Sequence, residues 1–435
     1  MLKALNKTGL VFFPAFDWAI DPTHPEREER LLYTKDQVFE EGLMDIEGIT
    51  EFKPADITHT DINRTHFCVP DIETVTTNSH FISAGGAKII AEKFANKEID
   101  KGFALVRPPG HHAMRVVHGG RGFCNINIEA IMIEYLRKNY NYKKIAVVDT
   151  DCHHGDGTQD IFWHDPDVLF ISLHQDGRTL YPGSGFTDEL GGPNACGYNL
   201  NIPLPPNTSE EGYLYTIENT VLPILEEFQP EIVINSAGQD NHYTDPLTNM
   251  NFTAQGYAKL TSLLNPDIAV LEGGYSIEEA LPYVNAGIIL SMAGLDYSKV
   301  KEPDYNPERI KETPEIMNHI KNVCDRVKTL WDSRNLLRGK IYGNEKIYKR
   351  NRNIMYDTDG IYERQSEKIT GCENCPGALK IDSESDRGWK ITGIYAPVNI
   401  CDKCLKQAKQ WYSEADSEIN YFHDNRSGRY EKKKK

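Results

Sequence analysis

No apolar run in this 435-residue chain approaches the ~18 residues of a membrane-spanning helix. The opening residues, MLKALNKTGLVFFPAF, lack an apolar stretch followed by a small-residue cleavage site. We therefore expect a cytoplasmic protein with no membrane partner, whose first apolar run is a strand. Internal repeats and low-complexity tracts are missing too, apart from a lysine run at 432–435, which reads as a frayed tail. Basic residues are scarce in one region. Residues 1–300 hold 21 Lys and Arg against 42 Asp and Glu, a net −21, whereas residues 301–435 hold 27 against 22, a net +5. An acidic body disfavours nucleic acid as a partner of that region and favours cations.

The nine cysteines are an odd number, which argues against a disulfide framework. Cys68, Cys124, Cys152, Cys196 and Cys324 are dispersed, whereas Cys372, Cys375, Cys401 and Cys404 make two CxxC pairs separated by 25 residues. Four thiolates close a tetrahedral zinc shell at ~2.3 Å, so the pairs point to a structural zinc in a ribbon or treble-clef-like module.

Within the first 300 residues, short continuous apolar runs at 10–13, 103–106, 145–148, 168–173, 232–234 and 268–271 alternate with helical stretches, including 82–94, 128–138 and 210–228. Continuous apolarity over strand length suits strands covered on both faces. The expected fold class is α/β, an open and mostly parallel sheet flanked by helices, with ligands beyond the carboxyl ends of the strands. Past residue 300, Thr313-Pro314-Glu315 starts a helix whose apolar residues Ile316, Ile320, Val323, Val327 and Leu330 recur towards Gly339. Residues 340–370 are polar and tyrosine-rich without a period. We divide the chain into a catalytic domain at 1–300, an amphipathic helical linker at 301–340 and a zinc-binding module with a basic tail at 341–435.

The run at 145–148 leads into Asp149-Thr-Asp151-Cys-His153-His154-Gly-Asp156. Alternate positions of an extended backbone share a side, so Asp149, Asp151 and His153 can converge. The run at 232–234 leads into SAGQD, which ends at Asp240 at the same sheet edge. Asp151, His153 and Asp240 make three ligands of a catalytic zinc that keeps a fourth position open. Two more strand ends carry Arg107-Pro-Pro-Gly110-His111-His112 and Glu272-Gly273-Gly274-Tyr275. A His-His pair alone is usually core or surface, and a tyrosine after two glycines is usually a turn residue; the joint context of four such segments at strand ends weighs against those readings.

RPPGHHA (107–113), GFCNIN (122–127), DTDCHHGDGTQ (149–159), SAGQDNHYTDPL (236–247) and LEGGY (271–275) resemble the successive motifs of the zinc-dependent histone deacetylase family, nearest its class II and bacterial members. The resemblance covers roughly residues 10–295 and implies the arginase/deacetylase fold and hydrolysis of an N-acetylated amine. It implies zinc ligation by Asp151, His153 and Asp240. His112 would be general base and acid, oriented by Asp156, with His111 and Asp149 as the electrostatic pair and Tyr275 as donor to the substrate carbonyl. Zinc activates water and polarises the amide, so a neutral imidazole suffices as base.

Gly122, Phe123, Tyr181, Leu247, Gly273 and Gly274 match substrate-contacting positions, with Phe123 and Tyr181 as walls of an acyl-lysine channel. Asp149, Asp151, His153, Ser172 and Leu173 match the segment that holds a structural potassium ion. Arg30 resembles the internal arginine of the acetate exit, and Asp71 or Glu73 the acid at the channel rim. His242 stands where related two-metal enzymes carry a carboxylate, which favours one catalytic metal. The segment 114–121 is longer than the class II pattern. The implied activity is removal of acetyl groups from acetyl-lysine of peptides or proteins. An acetylated polyamine is the alternative substrate, and a non-catalytic acyl-lysine-binding scaffold is the reading from a different class. The oligomeric state is left open.

Overall fold

The computed structural model describes residues 2–21 and 23–435. Ten strands fall in the first 300 residues: β1 (Lys3–Phe13), β2 (Glu47–Glu51), β3 (Phe67–Cys68), β4 (Lys101–Val106), β5 (Val116–Val117), β6 (Ile145–Asp149), β7 (Val168–Gln175), β8 (Asn199–Leu204), β9 (Ile232–Ser236) and β10 (Ile268–Val270). Eight of them form one sheet in the order β2-β1-β4-β10-β9-β6-β7-β8, and β3 and β5 form a small separate pair. Every pairing in the large sheet is parallel. All its carboxyl ends therefore face one way. Its faces are sealed by two apolar layers, one including Leu10, Phe103, Leu169 and Leu271, the other Val11, Val106, Val147 and Val270. Alternate residues of the same strands enter opposite layers, which explains why each strand reads as continuously apolar.

All six anticipated runs are strands of this sheet. The two strands that were not anticipated, β2 and β8, are its edges. The anticipated helices occur as Asn78–Ala95, Ile128–Tyr140 and Glu210–Phe228, the last interrupted by a π turn at Ile217–Val221.

Thr313 caps its helix by accepting a hydrogen bond from the Ile316 amide. The helix ends at Asp332 rather than near Gly339, and a second helix runs from Arg334 to Tyr342. Ile320, Cys324, Val327 and Trp331 seat the first helix on the large sheet's core.

Beyond it lies a second sheet of six strands in chain order: β11 (Ile347–Tyr356), β12 (Ile361–Thr370), β13 (Leu379–Ser385), β14 (Lys390–Ala396), β15 (Ile419–Asp424) and β16 (Arg429–Lys434). Neighbours are antiparallel except β14 and β15, whose parallel pairing needs the crossover helix Asp402–Glu414. Two expectations are corrected here. The aperiodic segment 340–370 is mostly a hairpin, and the lysine tail is an edge strand rather than a frayed end. The hairpin hid itself because the inward side chains of β12 include Glu363, Gln365 and Glu367. One face of this sheet is covered by its own helix through Ala408 and Trp411. The other is laid on the first 300 residues through Phe67, Val69 and Val116, with Arg350 and Arg352 joining Asp160 and Glu367.

Candidate active site and cysteine cluster

The segments that carry the chemistry follow β4, β10, β9 and β6, four neighbours at the centre of the parallel sheet. Asp151 and His153 leave β6, Asp240 follows β9, and ligand atoms of all three lie within 4.8 Å of one another in a buried cluster. His153 Nδ1 is 2.7 Å from Asp240 Oδ2 and 3.2 Å from Asp151 Oδ1. Backbone amides hold the carboxylates: Gly273 N donates to Asp151 Oδ2 at 2.7 Å and Cys152 N to Asp240 Oδ1 at 2.7 Å.

The residues fit a zinc ion. A Cβ at Gly273 would lie 2.6 Å from both Asp151 Oδ2 and Asp240 Oδ2, so that position must be glycine for the carboxylates to share one point. Burial, with Asp151 beside it, pushes the Asp240 carboxyl upwards, the strain expected of two buried acids that need a cation. Two carboxylates and one imidazole are an open catalytic-zinc donor set.

Two imidazole–carboxylate pairs flank this cluster. His112 Nδ1 is 2.8 Å from Asp156 Oδ1, and His111 Nδ1 is 3.2 Å from Asp149 Oδ2, with the two rings 4.0 Å apart. Their environments separate them. Burial, then the neighbouring His111, pushes His112 down to about 3, so it is a neutral imidazole near neutral pH. For His111, burial is outweighed by Asp151 and Asp149, which hold it well above its ordinary value. Glu272 accepts from the amides of Gly110 and His111 at 2.7 and 3.0 Å and fixes the backbone beneath the pair.

The aromatic walls follow from backbone geometry. Gly122 has φ +51°, and a Cβ there would sit 2.4 Å from the His112 ring. Phe123 itself has φ +68°, an uncommon conformation for a bulky residue that sets its ring at the site. Its ring meets that of Tyr275 edge-on at 5.8 Å, and Tyr181 meets His112 at 5.1 Å. Tyr275 N donates to Asp245 Oδ2 at 2.8 Å. Arg30, fully buried, donates to Gly274 O at 2.7 Å and lies 5.0 Å from the Tyr275 ring. Leu247 is partly exposed, its amide tied to Asp245. Ser172 pairs with Asp149 across β7 and β6, its hydroxyl on His174, while Leu173 O accepts from Tyr213.

Asp71 and Glu73, the candidates for the rim acid, make their side-chain contacts with Thr74 and His59 and none with a named channel residue. Asp71 caps the short helix Ile72–Val75, Glu73 lies 3.5 Å from His59, and both line a cleft with Tyr421 and Lys432. Two groups that sequence reasoning left out do reach the site. Arg121 Nε donates to Asp156 Oδ2 at 3.1 Å, on the oxygen that His112 leaves free. Asp357, on the turn between β11 and β12, accepts from Tyr181 Oη at 2.8 Å and Gly122 N at 3.2 Å. Asp357 lies 176 residues from Tyr181 and 235 from Gly122 in sequence, so only the unexplained length of 114–121 hinted that something extra docks there.

Cys372, Cys375, Cys401 and Cys404 converge between the end of β12 and the start of the crossover helix. Cys372 Sγ and Cys401 Sγ are 3.9 Å apart, close to the ~3.8 Å edge of a tetrahedron with ~2.3 Å zinc–sulfur bonds. No disulfide joins them. The knuckle is tied to the first 300 residues by Asn194, which donates to Thr370 O and Pro376 O and accepts from Cys372 N.

Comparisons with known proteins agree with this geometry. Residues 70–289 match the family described as the histone deacetylase domain. The chain is 43% identical over 330 residues to a probable deacetylase of Archaeoglobus fulgidus, covering 69% of this chain and 90% of that one. It is 32% identical over 254 residues to a histone deacetylase-like amidohydrolase of Pseudomonas aeruginosa, covering 53% and 66%. A crystal structure of the HDA15 HD domain superposes with a TM-score of 0.66 at 26% identity, covering 78% of this chain and 99% of that chain.

Proposed function

Because the chain belongs to the histone deacetylase family and is thus a zinc-dependent deacetylase, we propose that its substrate is the acetylated ε-amine of lysine in peptides or proteins. This reading rests on the aromatic rings at the site, Phe123 edge-on to Tyr275 and Tyr181 edge-on to His112 beside the Asp151–His153–Asp240 cluster, which we take as the walls of a narrow passage. Such a passage suits a slim methylene chain capped by an acetamide.

Zinc at that cluster supplies a Lewis acid that polarises the amide carbonyl and acidifies water. His112, whose Nδ1 is held by Asp156, has Nε2 free to take the proton of the attacking water and then return it to the departing amine. His111, kept charged by Asp149 and Asp151, stabilises the negative charge that gathers on the carbonyl oxygen. The Tyr275 hydroxyl donates to that oxygen from the Gly273-Gly274 turn. Acetate and free lysine result. A potassium ion beside Ser172 and Leu173 would stiffen the β6 and β7 ends. We assign the catalytic unit to 1–300, with 301–340 as linker and 341–435 as the zinc module.

The acidic excess of residues 1–300 favours a second substrate reading, an acetylated polyamine. The zinc-loaded protein should release acetate from an acetyl-lysine peptide, and should lose that turnover in Tyr275→Phe by about 10²–10³. It should contain two zinc ions per chain, one readily chelated and one resistant. Unchanged turnover in Tyr275→Phe would overturn the assigned chemistry. Turnover of acetylputrescine but not of the peptide would choose the second substrate.

A further inference from the structure

The turn between β11 and β12 does not merely approach the active site; the catalytic loop is built to receive it. Gly120 N donates to Asp359 Oδ2 at 2.6 Å, Gly122 N to Asp357, and Arg121 Nη1 to Met355 O. A Cβ at Gly119 would lie 2.5 Å from Asp359 Oδ2, and one at Gly120 3.2 Å from Thr358. The loop is glycine where the turn touches it. The seating is anchored from behind by Tyr356, buried, whose hydroxyl donates to Val116 O at 2.8 Å.

This docking places a partly exposed carboxylate against Tyr181 and Gly122. Asp357 takes its hydrogen bonds from Tyr181 and Gly122, both wall residues, yet its side chain is still 32% exposed. The cation recorded near it is Arg121 at 3.9 Å, and Arg121 is already engaged with Asp156. Asp156 and Asp357 thus share one guanidinium, and Asp359 adds a further carboxylate on the same turn.

We propose that Asp357, delivered by the second sheet, is a specificity-determining residue that takes a positively charged group lying beyond the methylene chain of the acylated amine. This rests on the deacetylase reading above and narrows its substrate class. Two sources carry that chemistry: the free ammonium of an N-acetylated diamine or polyamine, and a lysine or arginine beside acetyl-lysine in a peptide.

The test measures kcat/KM of the full-length zinc-loaded protein on two matched pairs. One pair is N-acetylputrescine and its neutral isostere N-pentylacetamide; the other is an acetyl-lysine peptide with flanking lysines and the same peptide with flanking glutamines. The wild-type protein should prefer the cationic member of at least one pair, and that pair identifies the source. Asp357→Asn should lower the cationic-to-neutral ratio about tenfold, and Asp357→Glu should largely retain it. The ratio, unlike an absolute rate, is insensitive to partial loss of folded protein. A ratio that survives Asp357→Asn, or falls equally in Asp357→Glu, would overturn the proposal and leave the deacetylase reading standing. Failure of the wild-type protein on every substrate would overturn both.

Discussion

The two sheets of this protein reach the same end, a buried core, by different means. The eight-stranded sheet is all parallel, its central strands are apolar on both sides, and the site residues follow the carboxyl ends of β4, β6, β9 and β10. The six-stranded sheet mixes parallel and antiparallel pairs and buries Glu363, Gln365 and Glu367 on one face. Its contact with the first 300 residues joins an apolar patch on the β3–β5 pair to a cluster of Arg350, Arg352, Asp160 and Glu367. The first sheet positions reacting groups. The second is held by charge, an apolar patch and a four-cysteine knuckle, and lends one turn to the active-site loop. Stability and chemistry are therefore separable by mutation.

The largest effect should come from Cys404→Ser. Four-thiolate zinc sites carry an apparent ~10–16 kcal/mol, much of it folding free energy. Zinc should fall from two per chain to one by elemental analysis, and calorimetry should show the second sheet melting before the first. A single unshifted transition would mean that the sheets are not the independent units drawn here. Next comes His112→Ala, expected to lower kcat by about 10²–10⁴ with little change in Tm, because its loss removes a proton carrier rather than a core contact. A large fall in Tm would assign it to structure instead.

A third substitution, Arg352→Met, leaves Asp160 and Glu367 short of a buried partner and should cost about 3–5 kcal/mol in denaturant unfolding. No loss would show that the apolar patch alone carries the docking.

The smallest expected effect concerns pH. Burial pushes His423, packed 4.4 Å from the Phe67 ring at the junction of the sheets, down to about 3. Between pH ~6.5 and ~3 the unfolded imidazole binds a proton that the folded one refuses, so stability falls as pH drops through that window. At pH 5 this amounts to about 2 kcal/mol. His423→Phe should flatten the slope below pH 6.5 and leave stability at pH 8 little changed; an unaltered slope would place the acid sensitivity elsewhere.

The same contrast explains what could be read from the chain beforehand. Strands β1, β4, β6, β7, β9 and β10 announced themselves because both their faces are apolar. Edge strands β2 and β8 did not, since Gly48 and Glu51 or Asn199 and Asn201 break the run. The hairpin of β11 and β12 was invisible for a stronger reason: the inward residues of β12 include Glu363, Gln365 and Glu367, so no apolar alternation marks its buried face. At the site, Asp151, His153, Asp240, His112 and Tyr275 were legible because each sits in a short motif at a strand end. Asp357 and Arg121 were not. Asp357 has value only through a docking event that no local pattern encodes, and Arg121 only through the salt bridge to Asp156 that the fold brings about. Asp71, chosen for the rim from its place in the chain, turned out to cap a helix.

The outermost strand, β16, ends in a row of lysines at 432–434. An open sheet edge invites another strand to add to it, and clustered ammonium groups repel a like-charged newcomer. The lysines of β16 thus act as a guard rail: they disfavour the addition of a like-charged strand, copy upon copy, along that margin.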